Sequence, residues 1–204
     1  MSTSHSTAHP AAALLLTLAS LLPALASATE AASSLVVTDG TFECITRMTK
    51  VRGFYVANLL GKLDDTLAVA NSPTGGVYPP GTLLQLVPTE VMVKHPAGTS
   101  PATKDWEFFE LDVGPDGSKI RKRGYVDVVN RFGGNCFGCH VAAKPEWDLV
   151  CEETHGCAPI PITPAMFAAL QASDPRCVPP NPLSQADKDA LAALEKILAP
   201  KPAP

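Results

Sequence analysis

Short runs of apolar residues occupy the middle of this chain, and longer helical spacings flank them on both sides. Thr82–Val87 is one apolar run, introduced by Pro79-Pro80-Gly81, and Val91-Met92-Val93-Lys94 is another. Both read as strands. Residues 105–113 are rich in aromatics. Within WEFFELDV, strand alternation sends Trp106 and Phe108 to one face and Phe109 and Leu111 to the other. The turn Pro115-Asp116-Gly117 joins this run to residues 120–129, so the pair reads as a hairpin. Upstream, Phe54, Val56, Leu59, Leu60, Leu63 and Leu67 recur at helical spacing. Residues 45–70 are therefore predicted to hold a helix, with Gly53 and Gly61 as its weak points. The run Asn71-Ser72-Pro73-Thr74-Gly75-Gly76 breaks the pattern.

Downstream, residues 142–150 predict a short helix interrupted by Pro145, and residues 159–164 an extended loop. Residues 166–172 predict one or two helical turns. Ser184 and Asp187 have the spacing of a capping box, which starts a helix over 185–198 striped by Leu191, Leu194 and Leu198. Residues 199–204 read as a disordered Pro/Ala tail. The fold class that results is α+β, an antiparallel β-sheet domain with flanking helices.

Residues 11–22, AAALLLTLASLL, change the picture. The run has the length of a signal-peptide core and is too short to span a bilayer. Ala24-Leu25-Ala26 and Ala26-Ser27-Ala28 are small-residue cleavage sites. The first ten residues carry no Lys or Arg, which departs from the usual pattern. The organisation read from these signals is a signal peptide over 1–28, a main domain over 29–180, and a C-terminal helix and tail over 181–204. The expected location is periplasmic or secreted, with no membrane span once the signal is removed. The net charge of -4 argues against a nucleic-acid partner, and no polybasic membrane patch is visible.

The most specific chemical signal is Cys136-Phe137-Gly138-Cys139-His140, the pattern of a c-type haem attachment site. Two residues between the cysteines let one turn of backbone present both thiols to two vinyl groups. The adjacent His then points an imidazole at the iron. One covalent haem c is expected, with Cys136 and Cys139 as thioethers and His140 as the metal ligand. A thioredoxin-like Cys pair fits less well, because no βαβ pattern surrounds it. A zinc site built on Cys151, His155 and Cys157 is a further rival, and lacks a named fourth ligand. Four cysteines remain: Cys44, Cys151, Cys157 and Cys177. In an exported chain they read as two disulfides, with all three pairings open.

A β-rich segment followed by a late CxxCH resembles the cytochrome P-460 and cytochrome c-prime-beta family. The residues that carry the resemblance are Pro-Pro-Gly-Thr at 79–82, Val-Met-Val-Lys at 91–94, Asp105-Trp106, Cys136–His140 and Asp148-Leu149-Val150. It covers about residues 45–151. The resemblance implies a β-sheet haem pocket with His140 on the proximal side and an open or capped distal side. In hydroxylamine-oxidising members a lysine is cross-linked to the macrocycle and a distal carboxylate moves protons. In c-prime-beta members the cross-link is missing and small gases bind. Here Leu83-Leu84-Gln85-Leu86 holds no lysine, and Lys94 on the next strand is the remaining candidate. A chain without the cross-link is expected.

Other residues have two readings each. Lys94 is a cross-link candidate or a solvated strand lysine. Glu107 and Glu110 are candidate acid/base groups or a strand's polar face. Phe108, Phe109 and Phe132 are candidate haem caps or core. Arg121, Lys122, Arg123 and Arg131 are candidate propionate partners or solvent-facing charges. Met48, Met92, Met166, His95 and His155 are the candidate sixth ligands. Two function classes follow. One is a haem protein that binds or transforms nitric oxide or hydroxylamine as a small-molecule ligand or substrate. The other is a low-spin electron carrier with Met or His as sixth ligand, serving a redox partner protein. A homodimer is compatible with either.

Overall fold

The structure is a computed structural model, and it describes residues 35–199 together with residues 1–3 and 5. The predicted signal core and the residues of the tail beyond Ala199 lie outside the described residues. Six strands form one antiparallel sheet in chain order: β1 Thr49–Val51, β2 Phe54–Asn58, β3 Thr82–Val87, β4 Glu90–Lys94, β5 Trp106–Gly114 and β6 Gly117–Gly124. Among the described residues four α-helices accompany it: α1 Leu63–Ala70, α2 Cys136–His140, α3 Pro164–Ala172 and α4 Gln185–Leu198. The expected α+β class with an antiparallel sheet is observed.

Tight turns dictate the sequential order. Arg52-Gly53 joins β1 to β2, with Arg52 in the left-handed region at φ 49°. Pro115-Asp116 joins β5 to β6 and pairs Gly114 with Gly117. Gly81, at φ 84°, introduces β3. A Cβ there would meet Leu60 Cγ at 2.7 Å and Asn58 Oδ1 at 2.9 Å, so only glycine fits. The β3 bounds match the prediction, and so do those of α4, whose capping box joins Ser184 and Asp187. The helix predicted over 45–70 is corrected. Only Leu63–Ala70 is helical, and Phe54 and Val56 lie in β2. The 2-residue period of Phe54 and Val56 fits a strand as well as a helix, and the turn at Arg52-Gly53 decides for the strand. In place of the helix predicted over 142–150 there is a single short turn, Pro145–Trp147. β6 ends at Gly124 rather than at 129.

The sheet buries both faces. On one face Phe54, Val56, Leu84, Met92, Trp106 and Phe108 meet α1, Tyr78, Leu149, Val150, Cys136 and Phe137. On the other, Leu83, Val91, Val93, Phe109 and Leu111 meet Val37 and Phe42 of the N-terminal segment. Each such fully buried apolar side chain contributes about 1.5–3 kcal/mol. The predicted split of the aromatic strand, Trp106 and Phe108 against Phe109 and Leu111, is the one observed.

The C-terminal part is fastened to the N-terminal segment. Asp174 accepts from Ile45 N at 2.8 Å and from Arg176 Nε at 2.8 Å, and Cys44 is bonded to Cys177. α3 packs on β3, where Gln171 donates to Leu86 O and Gly53 O, and α4 packs on α3.

Candidate functional site

Helix α2 is the CxxCH run itself. Asn135 caps it, accepting from Gly138 N at 2.6 Å and donating from Nδ2 to Val126 O at 2.8 Å. Cys136 N donates to Val128 O at 2.9 Å, so the first cysteine is fixed to the chain leaving the sheet. The thiols of Cys136 and Cys139 are both free; the first is half-buried and the second is exposed. Val126, Phe132 and Val141 expose apolar surface around them.

His140 follows directly. Its Nδ1 lies 2.7 Å from Leu149 O. A carbonyl only accepts, so Nδ1 carries the proton and Nε2 keeps its lone pair. Burial pushes the imidazole below its ordinary pKa, and the Leu149 bond opposes this in part. The ring is therefore mainly neutral at pH 7. It leans on Phe108, with centroids 5.2 Å apart.

Strand β4 holds both flanks of the motif. Glu90, Met92 and Lys94 alternate onto the motif face. At one end Glu90 accepts from Asn130 Nδ2 at 3.0 Å. Its cross-strand partner Glu110 accepts from Arg131 Nε at 2.6 Å, and Arg121 lies 3.4 Å away. Glu110 is fully buried, yet its Oε2 has no hydrogen-bond partner. Burial pushes Glu90 up, the charge of Glu110 adds to this, and the Asn130 bond opposes it. Burial, joined by the charges of Glu90 and Glu110, pushes the Cys136 thiol up to about 12.

At the other end Lys94 Nζ reaches Asp148 Oδ2 at 2.8 Å, Asp148 Oδ1 at 3.0 Å and Lys104 O at 2.6 Å. Asp148 also accepts from Tyr78 N at 3.0 Å, and its carbonyl accepts from Trp106 Nε1 at 2.7 Å. Burial lowers the Lys94 ammonium, and the hydrogen bond and charge of Asp148 resist.

Several expectations are corrected by this geometry. Lys94 is no solvated lysine; it is buried in an ion pair. Glu107 and Glu110 are buried rather than on a polar face, and they lie on opposite sides of the sheet. Glu107 is on the side away from the motif, bound by His95 Nε2 at 2.7 Å and by Arg123 Nε at 2.6 Å. Phe109 faces that side too, against Phe42, while Phe132 is exposed beside α2. Arg121 and Arg131 pair with Glu110 and Arg123 with Glu107; Lys122 is exposed on β6.

Of the candidate sixth ligands, Met92 shares the motif face, Met48 packs with the far-face cluster and Met166 is buried in α3. His95 is bound to Glu107. His155 stacks on Trp147 with centroids 3.7 Å apart, and its Nδ1 lies 2.9 Å from Val150 O. The disulfides are Cys44–Cys177 and Cys151–Cys157, which removes the thiolates from the zinc reading of Cys151, His155 and Cys157. Among the described residues the other grouping with metal-ligand spacing, Cys44, Asp174 and Cys177, also has its two sulfurs joined.

Sequence reasoning gave no role to Glu90, Asp148 or the Leu149 carbonyl. The alternation that places Met92 on the motif face also places Glu90 there, so periodicity alone could have found it. Asp148 and Leu149 needed the fold, because their role depends on two successive left-handed residues. The chain matches no protein-family model, no curated protein and no solved structure.

Proposed function

We propose that this chain is an exported mono-haem c-type cytochrome, similar to the cytochrome P-460 family, that binds or transforms nitric oxide or hydroxylamine. The observation that carries the reading is the donor set of α2. Two free thiols on one turn stand next to an imidazole whose Nδ1 is committed to Leu149 O and whose Nε2 keeps its lone pair. This set fits haem c. The exposed side chains of Val126, Phe132 and Val141 offer the apolar surroundings that a macrocycle needs. The two disulfides agree with export to an oxidising compartment.

Cys136 and Cys139 would hold haem as thioethers, and His140 Nε2 would bind the iron. When bound, haem supplies a redox-active metal with a coordination position for a small ligand. The rest is the work of this chain's own side chains. Leu149 O holds the imidazole proton at Nδ1. Phe108 limits the tilt of the ring. Glu110 Oε2 is a fully buried acceptor without a hydrogen-bond partner, and the charge of Glu110 reaches Cys136. The raised thiol of Cys136 argues against a thioredoxin-like nucleophile, which needs a lowered pKa. Lys94 Nζ already has three acceptors, which favours a haem without a lysine cross-link.

The test is direct. Full-length protein made with a haem-attachment system should keep haem on a denaturing gel. Its mass should equal the mature chain plus one haem, less two hydrogens for each disulfide. The ferrous form should be high-spin and should bind nitric oxide. An unstained gel overturns the reading. A low-spin spectrum with a methionine-to-iron band selects the electron carrier, and Met92 is then the first residue to replace.

A further inference from the structure

We infer that Lys94 and Asp148 are positioning residues for His140: their buried ion pair fixes the Leu149 carbonyl against imidazole Nδ1. This rests on the haem reading only where the iron serves as the reporter.

The argument begins with the backbone. Asp148 and Leu149 are consecutive residues at φ 49° and φ 66°. Each such placement is disfavoured for an L-residue, because Cβ crowds the following carbonyl oxygen. The segment holds that shape because it is fastened on several sides. Gly76 N donates to Glu146 O at 2.8 Å, and Tyr78 N donates to Asp148 Oδ2 at 3.0 Å. Trp106 Nε1 donates to Asp148 O at 2.7 Å, and Lys94 Nζ donates to both carboxylate oxygens. Gly75 admits the segment so closely that a Cβ there would fall 2.1 Å from Glu146 O. All of these contacts fall on residues 146–148, and the carbonyl that results from the shape is the one 2.7 Å from His140 Nδ1.

The chemistry follows from the hydrogen bond. A metal-binding imidazole that donates its other N–H to a fixed acceptor is held in one tautomer and made a stronger donor. The charge lies one residue from the acceptor and has no contact with the imidazole. Asp148 therefore acts through the Leu149 carbonyl, and Lys94 acts through Asp148. On this account the lysine that remains as the cross-link candidate has a different task, namely to hold the loop that holds the histidine.

The test compares haem-loaded wild type with Asp148→Asn, Lys94→Met and Asp174→Asn. Asp174 belongs to an equally buried ion pair with Arg176, away from α2. Haem staining and intact mass come first. In the loaded ferrous proteins, Asp148→Asn and Lys94→Met should lower the iron–histidine stretching frequency and make the reduction potential more positive, because the bond to Nδ1 weakens. Asp174→Asn should lower thermal stability and leave both signals in place. Unchanged frequency and potential in folded, loaded Asp148→Asn and Lys94→Met overturn the inference. An equal shift in Asp174→Asn also overturns it, since the signals would then only follow stability. If wild type carries no haem, the functional reading fails separately. The positioning is then read from the ring ¹⁵N shifts of His140 in the full chain. A proton on Nδ1 that becomes shared between the two nitrogens in Asp148→Asn supports it, and an unaltered tautomer overturns it.

Discussion

On the motif side of the sheet Lys94 reaches Asp148 across 54 positions of sequence, and Glu110 reaches Arg131 across 21. On the far side Glu107 reaches His95 and Arg123, which flank it within the β4–β6 region. Lys94, Asp148, Glu107 and Glu110 are each buried and paired, as burial demands. The difference lies in what the pairs join. Motif-side pairs fasten loops to the sheet, and those loops carry α2 and Leu149. The far-side group joins β5 to β6 and to His95 just past β4, and its Arg123 also donates to Val37 O of the N-terminal segment at 2.9 Å. One strand thus performs two tasks with alternate residues, and damage to the two faces should be distinguishable by what it releases.

The largest effect should come from the crosslinks. Cys44–Cys177 secures the cover of the far face and joins positions 133 apart, whereas Cys151–Cys157 joins positions 6 apart near α2. Loop-closure entropy assigns about 5 kcal/mol to the first and about 2 kcal/mol to the second. Urea unfolding of the paired alanine variants should reproduce that order. The short loop should matter more for haem retention, because Cys151 Sγ lies 3.8 Å from Cys139 O. If the short crosslink proves the more stabilising, the entropic comparison fails.

Next comes the ion pair. Asp148→Ala leaves the Lys94 ammonium buried without its partner and should cost about 3–5 kcal/mol. Glu107→Gln should cost about 1–2 kcal/mol, since the half-exposed Arg123 can turn to water. In a haem-loaded chain only the first should alter the iron spectrum. A spectral change in Glu107→Gln would erase the distinction between the faces.

Acid should weaken the far face through its carboxylates. Burial pushes Glu107 up, but hydrogen bonds from His95 and Arg123 outweigh it and hold the carboxyl below its ordinary value of 4.5. Asp174 behaves alike: burial is outweighed by Arg176 and Ile45 N–H, below an ordinary 3.8. A carboxylate lowered in the folded state binds fewer protons folded than unfolded. Its stabilisation is complete above the ordinary value and is lost as pH falls through the folded one. Stability should therefore drop below pH 4.5, less steeply in Glu107→Gln.

The smallest effect has the opposite sign. Glu90 is raised in the folded state, so its ionisation costs stability as pH rises above 4.5. Glu90→Gln keeps an acceptor for Asn130 and should gain less than about 1 kcal/mol at pH 7. A loss of stability in that variant would show that the carboxylate charge itself holds the 130–135 loop.

These effects also mark how far the sequence could be read. Local patterns sufficed for β3, for α4 with its Ser184 cap and for the two-faced aromatic strand, because each depends on neighbours in sequence. The CxxCH run announced its own donor set. Phe54 and Val56 misled, since three or four apolar residues fit both periods when a turn intervenes. Lys94, Glu107 and Glu110 misled for a different reason. Their polarity suggested solvent, and the groups that neutralise them come from other strands and from loops up to 54 positions away. Likewise the pairing of Cys44 with Cys177 follows from the meeting of the N-terminal segment with the chain beyond α3, which no local pattern encodes.

The buried thiol beside Glu90 and Glu110 has a consequence for how six cysteines sort themselves. Burial above all, joined by the charges of Glu90 and Glu110, pushes its pKa up to about 12, so Cys136 is a thiol rather than a thiolate at pH 7. Disulfide exchange needs a thiolate attacker, so the folded chain withdraws this sulfur from reshuffling with the nearby Cys151–Cys157 bond. Burial of the first motif cysteine thus leaves it a poor attacker on the crosslink that lies beside the motif.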